Sequence, residues 1–114
     1  MKIQRHDTDD VAVLRVSGKL MGGPDADAFL SVVRQALADG KRHLLVDLGA
    51  VSWINSTGLG ILISSYTTVR KHEGLLKLLN VNRRIESILM TTKLNTYFES
   101  FQDEERALES FRAA

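Results

Sequence analysis

The chain has 114 residues, 44% of them hydrophobic, and this length predicts one domain spanning 1–114. Its 15 basic and 14 acidic side chains are balanced, which argues against a nucleic-acid partner, and the absence of cysteine excludes disulfides and thiolate metal sites. No apolar run approaches the ~20 residues of a membrane span and no signal-peptide pattern opens the chain, so we expect a cytoplasmic protein without membrane insertion.

The first third of the chain predicts two strands followed by a helix. A short strand around Ile3–His6 is expected to pair with a second strand at 11–18 through a polar turn. The Gly-Gly-Pro run at 22–24 predicts a loop, after which Asp25 is expected to cap a helix. Gly40 is expected to end this helix, because glycine adopts a positive φ at low cost. The apolar residues that recur at helical spacing are Ala26, Phe29, Leu30, Val33 and Leu37.

The middle of the chain predicts a buried strand and a second helix. The continuous apolar run at 43–48 is typical of a strand that is covered on both faces. A helix begins near Ser56 and is closed by Gly74, and its last turn contains Lys71 and His72, which suit the negative end of the helix dipole. The predicted buried stripe of this helix consists of Leu59, Leu62, Ile63, Tyr66 and Val69.

The last third predicts two more strands and two more helices. A strand at 75–79 leads into a helix that starts at Asn82, and a strand at 96–101 leads into a C-terminal helix capped by Asp103. The order of the elements is therefore ββαβαβαβα. Strands that alternate with helices predict a single α/β domain, with a central mixed, mainly parallel sheet and about four α-helices.

A short polar segment, Asn55-Ser56-Thr57-Gly58, stands where the second helix begins. Either Asn55 or Ser56 can act as the N-cap by accepting a hydrogen bond from an unpaired backbone N–H. Capping does not explain Thr57, Gly58 and Gly60, since glycine inside a helix costs about 1 kcal/mol relative to alanine. Glycines here favour the close approach of a partner, and a hydroxyl at a helix N-terminus suits a phosphate, which the helix dipole and the N–H groups stabilise.

The segment VDLGAVSWINSTGLGILI resembles the signature of STAS domains, the bacterial anti-sigma factor antagonists. In that family an acidic or amide residue, a serine, a serine or threonine, and Gly-Leu-Gly open the second helix. The segments VSGKL, GLLKLLNVN and TKLNTYFESFQDEERAL resemble the family's other landmarks, so the resemblance covers nearly the whole chain. Two differences stand out, because Asn55 replaces the aspartate of many phosphorylated members and the first loop is longer and richer in glycine.

The resemblance implies regulation by partner switching. In that mechanism the unphosphorylated domain binds an anti-sigma serine-protein kinase, phosphorylation by the kinase separates the two proteins, and a PP2C-type, metal-dependent serine phosphatase restores the binding form. The domain itself would be a monomer or weak dimer without catalytic activity or a cofactor, and its phosphoacceptor would be Ser56. The partner-binding residues would be Asn55, Thr57, Gly58, Leu59, Gly60 and Ile61, together with Met21, Gly22, Gly23 and Asp25 of the first loop.

Two other functions remain as alternatives. The domain could be a constitutive, non-phosphorylated scaffold subunit of a transport or signalling complex, in which Ser56 is only a helix cap. An enzyme or a nucleotide-binding domain is supported by the α/β architecture alone. The chain lacks the third glycine of a dinucleotide loop and any Gly-Lys-Ser/Thr triplet, and its three histidines do not have the spacing of metal ligands.

Two expectations concern side chains near the start of the second helix. Trp53 is expected in the core, with the alternative that it partly anchors a partner. Gly58, Ile61, Ser65 and Thr68 fall opposite or beside the predicted buried stripe. They would form a neutral outer face, which either receives a partner or is simply a surface of short side chains.

Overall fold

The computed structural model describes residues 1–113, which form five strands and four α-helices in the predicted order. These elements are β1 (Lys2–Thr8), β2 (Val11–Leu20), α1 (Pro24–Ala38), β3 (His43–Ile54), α2 (Ser56–Lys71), β4 (Leu75–Leu79), α3 (Arg83–Thr91), a 3₁₀ helix (Leu94–Thr96), β5 (Ser100–Phe101) and α4 (Glu104–Arg112). The last strand is shorter than predicted because the 3₁₀ helix and the turn after it precede it. Within the described residues, no helix has the length and apolar character needed to cross a membrane.

The five strands form one sheet in the order β1-β2-β3-β4-β5. β1 and β2 are antiparallel and the other neighbouring pairs are parallel, which confirms the predicted mixed, mainly parallel sheet. Residues of α1, α2 and α3 pack on one face of the sheet, and residues of α4 pack on the other. Each parallel pair is joined by a crossover helix. The ends of β2, β3 and β4 therefore lead into the first turns of α1, α2 and α3 at one edge of the sheet.

The central strand β3 shows why its apolar run is continuous. Leu44, Val46 and Leu48 belong to the core cluster under α1, α2 and α3, whereas Leu45 belongs to the cluster that contains Phe111 of α4. Because helices cover both faces, these side chains are almost completely buried. Burying one leucine or valine in this way stabilises the fold by about 2 kcal/mol relative to leaving it exposed.

Two strands extend beyond their predicted ends. β2 continues through Gly18 to Leu20, and β3 continues to Ile54, because the two strands remain paired as far as Leu20 and Ile54. The pairing shifts register between Gly18 and Lys19. Gly18 has a φ of 88°, a backbone conformation that would be strained in a residue with a side chain. Beyond this bulge the paired strands continue to the segment that opens α2.

The predicted cap at Asp103 is confirmed, and Asn82, the predicted start of α3, is the N-cap of that helix. The side chains of Asn82 and Asp103 accept hydrogen bonds from backbone N–H groups at the starts of α3 and α4. The prediction for Asp25 is wrong, because the N-cap of α1 is Gly23 and the first helical residue is Pro24. Proline suits this position, since its missing N–H would be unpaired there in any case. Asp25 instead lies in the first turn, where a carboxylate favours the positive end of the dipole.

The C-termini of α1 and α2 differ in how the chain leaves the helix. Gly40 takes a φ of 88° after α1, as predicted. After α2, however, the left-handed residue is Glu73, with a φ of 60°, and Gly74 is not left-handed. A Cβ on Gly74 would overlap the carbonyl oxygen of Arg42 and crowd Val69. Gly74 is therefore required by the close approach of the chain to the segment before β3.

Candidate functional site

Asn55 caps α2 and connects it to the loop between β2 and α1. Its Oδ1 accepts a hydrogen bond from the backbone N–H of Gly58 at 2.8 Å, and its Nδ2 donates one to the carbonyl oxygen of Met21 at 3.2 Å. An amide can do both because it carries an acceptor and a donor. Of the two caps that the sequence allows, the structure selects Asn55. Ser56 is therefore the first helical residue, exposed and not needed as the cap.

The start of α2 is packed closely against the β2–α1 loop (21–23). Gly58 is buried against the carbonyl oxygen of Leu20, at a position where a Cβ would overlap that oxygen. The Thr57 methyl fills the space that a side chain on Gly22 would occupy. Gly22 also has a φ of 99°, which favours glycine. The small residues of the motif thus fix the loop against the helix.

Ser56 and the predicted partner-binding residues divide into exposed, half-buried and buried groups. Met21, Gly23, Ser56 and Thr57 are exposed; Asp25, Asn55 and Gly60 are half-buried; Gly22, Gly58, Leu59 and Ile61 are buried. A Cβ on Gly60 would meet no atom within 4 Å, so the space above it is open. The accessible residues can contact a partner directly, whereas the buried ones hold the helix and the loop in place.

The expected outer face of α2 is wrong for most of its residues. Gly58, Ile61 and Ser65 are buried and Thr68 is half-buried, while Ile63, predicted to be buried, is exposed. The reason is that α2 packs against α1 as well as against the sheet, so more of its circumference is covered. The hydroxyl of Ser65 is satisfied within the helix, where it donates a hydrogen bond to the carbonyl oxygen of Ile61 at 2.9 Å.

Trp53 lies on the surface, 40% exposed, and the expectation that it is a core residue is wrong. Ser52 and Trp53 are both exposed between two buried residues of β3, Val51 and Ile54. The side chains do not alternate regularly here, because the β2–β3 pairing shifts register beside Trp53. The Arg84 guanidinium of α3 lies over the indole ring, 4.4 Å from its centroid. Lys19 pairs with Trp53 in the β2–β3 register, and Met21 is 42% exposed just after β2.

We define the Trp53 surface as Lys19, Met21, Trp53, Ser56 and Arg84. These residues lie where β2 and β3 end and where α2 and α3 begin. Strict alternation along β3 would place Trp53 on the same face as the buried Val51, so the sequence pattern did not predict that Trp53 points outward. Nothing in the sequence pairs it with Arg84, because the two residues lie far apart along the chain.

Two side chains with shifted pKa values, His43 and Asp39, lie at the opposite edge of the sheet, where the parallel strands begin. Burial lowers the pKa of His43, whose ring stacks on Phe111 with a centroid separation of 5.0 Å. A hydrogen bond of 2.7 Å from the Arg5 guanidinium lowers the pKa of the Asp39 carboxyl. These shifts therefore bear on the stability of that edge.

Comparison with known proteins places this arrangement in a family. A family profile described as the STAS domain matches residues 2–107. An anti-sigma-B factor antagonist of Staphylococcus aureus is 29% identical over 96 residues, which are 82% of this chain and 86% of that protein. The crystal structure of an anti-sigma factor antagonist from Mycobacterium paratuberculosis is 27% identical with a TM-score of 0.83, covering 97% of this chain and 93% of the other.

Two solved structures with lower identity show the same fold. A candidate anti-sigma factor antagonist from Thermotoga maritima is 23% identical with a TM-score of 0.87, covering 96% of this chain and 94% of the other. A sulfate transporter family protein from Wolinella succinogenes is 19% identical with a TM-score of 0.78, covering 91% and 86%. At these identities the likeness shows the fold alone.

Proposed function

The chain belongs to the STAS domain family, and from that premise we propose that it is an anti-sigma factor antagonist controlled by partner switching. Its unphosphorylated form binds an anti-sigma serine kinase. The kinase transfers the γ-phosphoryl group of ATP to Ser56 and the complex dissociates, and a PP2C-type phosphatase hydrolyses the phosphoserine to restore the binding form. The observation that carries the proposal is that Asn55 caps α2, which leaves the Ser56 hydroxyl exposed and available.

The local electrostatics of the helix start fit a phosphate on Ser56. The first turn of α2 contains no acidic residue, and its unpaired N–H groups and positive dipole end favour a dianion. Phosphorylation would therefore cost the fold little. The added charge, about −2, would instead act on a partner docked over this residue, through repulsion and desolvation. The modification would change binding without unfolding the domain.

Thr57, the neighbouring hydroxyl, is less suited to be the acceptor. Its side chain packs on Gly22, where its methyl fills the space that a side chain would occupy. Moving Thr57 into a kinase active site would open this contact between the helix and the loop. Ser56 has no such packing role to lose.

Intact mass spectrometry tests the acceptor directly. The protein is incubated with Mg-ATP and the serine kinase encoded nearest to its gene. Wild type is expected to gain one phosphoryl group and Ser56→Ala none. The matched control is Thr57→Val, which keeps the methyl beside Gly22 and should gain the same group as wild type. Phosphorylation of Ser56→Ala would show that Ser56 is not the acceptor.

Binding measurements test the switch. Ser56→Ala is expected to bind the kinase whether or not Mg-ATP is present, and Ser56→Glu is expected to bind poorly because it carries a permanent negative charge. If both variants bind as wild type does, partner switching at Ser56 is wrong. A stable complex that Mg-ATP does not affect, formed with a kinase active on other substrates, would favour the constitutive scaffold.

A further inference from the structure

The exposed tryptophan of this surface is costly to leave in water. Trp53 is the only tryptophan of the chain, and within the described structure its ring is covered on one side by the Arg84 guanidinium at 4.4 Å. Met21 adds a second large apolar side chain, 42% exposed. Tryptophan, arginine and methionine are enriched at protein interfaces, and tryptophan and arginine dominate their energetic centres.

The charged residues of the Trp53 surface, Lys19 and Arg84, are basic, and Arg83 precedes Arg84 in the chain. Within residues 1–113, no carboxylate oxygen lies within 4.0 Å of a side-chain nitrogen of Lys19, Arg83 or Arg84. Other arginines are paired, among them Arg15, whose guanidinium lies 2.6 Å from a carboxylate oxygen of Glu104. The Trp53 surface therefore presents positive charge that residues 1–113 do not neutralise through an ion pair.

The position of the two arginines works against the stability of α3. Arg83 and Arg84 are its first two residues, and cations are unfavourable there because the N-terminus of a helix is the positive end of its dipole. Glu86 is the acidic residue of the same turn. Residues that disfavour their own helix locally are typical of a functional site.

We propose that Trp53 and Arg84 form a second anchor for the kinase beside Ser56, in which Arg84 pairs with an acidic segment of that partner. This inference rests on the proposed function, because it concerns the partner that docks over Ser56. Trp53 holds the guanidinium in place through a cation–π contact, so less conformational entropy is lost when a carboxylate meets it. The indole then becomes buried under the same segment.

Titration calorimetry in Mg-ADP tests the anchor without phosphoryl transfer. It measures the affinity of the protein for the serine kinase encoded nearest to its gene. Arg84→Ala and Trp53→Ala are each expected to raise the Kd by about tenfold or more, and Arg84→Glu by more than Arg84→Ala. The matched control is Arg106→Ala, which removes an exposed arginine from α4 on the other face of the sheet and should bind as wild type does. Added NaCl should weaken wild type more steeply than Arg84→Ala.

A fluorine label gives a second measurement. Because the chain has one tryptophan, 5-fluorotryptophan places a single ¹⁹F signal on this surface. The signal should shift when unlabelled kinase is added. Trp53→Phe and Arg84→Ala, which leave the core untouched, keep the binding test interpretable if Trp53→Ala does not fold.

The two proposals fail in different ways. If wild type does not bind the kinase, the proposed function fails. The second anchor is wrong if Arg84→Ala and Trp53→Phe retain wild-type affinity and the ¹⁹F signal does not shift. The switch at Ser56 still stands in that case, provided that wild type binds the kinase and Ser56→Glu does not.

Discussion

The side-chain amide of Asn55 donates a hydrogen bond to the carbonyl oxygen of Met21 at 3.2 Å while its oxygen caps α2 through Gly58 at 2.8 Å. One side chain therefore holds both the start of the helix and the loop before α1, directly beside Ser56. An aspartate at this position could form the cap, but a carboxylate at neutral pH has no proton to donate to a carbonyl oxygen. In this chain the amide connects the loop to the helix.

Asn55→Asp should lower the free energy of unfolding by about 1 kcal/mol, because the bond to Met21 is lost and two oxygens then face each other. Urea denaturation measures this. The matched control is Asn82→Asp at the start of α3, where the side chain accepts the cap bond from Ile85, and no loss of stability is expected there. Equal effects at both sites would mean that the bond to Met21 contributes nothing.

Two glycines in the first turns of α2 should respond to alanine in opposite directions. Gly58→Ala should lower the free energy of unfolding by about 2 kcal/mol or more, because the new methyl overlaps the carbonyl oxygen of Leu20. Gly60→Ala should raise it by about 0.5–1 kcal/mol, because its surroundings are open and alanine favours the helix. Thermal unfolding of the pair checks this, and a stabilising Gly58→Ala would contradict the packing described.

Glu73→Gly should raise the free energy of unfolding by about 0.5–1 kcal/mol, since the residue has a φ of 60° that strains any side chain. Its ion pair with Arg42, at 3.7 Å, is exposed and contributes little. Glu73→Gln is the control, because it removes the charge and keeps the strain, and it should be neutral in urea denaturation. Stabilisation by both variants would point to charge as the cause instead of backbone conformation.

The pKa of His43 makes stability depend on pH. Burial lowers this pKa in the folded state, a nearby Asp10 opposes the shift and Lys77 adds to it. The unfolded chain therefore binds a proton more readily, and stability should fall as the pH drops through the unfolded value of about 6.5, levelling off below the folded value.

His43→Phe keeps the stacking on Phe111 and removes the titration. Urea denaturation between about pH 7.5 and pH 5 should therefore show a smaller loss of stability for the variant than for wild type. His6 and His72 are present in both proteins, so the difference isolates His43. Identical pH dependence would show that burial of this ring does not disfavour its charged form.

The sequence by itself determined the order of strands and helices, the mixed, mainly parallel sheet, the start of α3 at Asn82 and the cap at Asp103. It also placed the polar motif with Ser56 at the start of α2. These features depend on hydrophobic periodicity and on residues within one turn of each other, so the local pattern contains the information.

The tertiary structure decided the rest, because each remaining feature depends on segments that are distant in the chain. The wide buried face of α2 follows from its packing on α1 as well as on the sheet, and the choice of Asn55 as the cap is reinforced by its bond to Met21. The exposure of Trp53 and its contact with Arg84 require β3 to run past the helix-covered part of the sheet, to the edge where α3 begins. Periodicity tells which side chains alternate, but only the packed neighbours decide which of them remain in water.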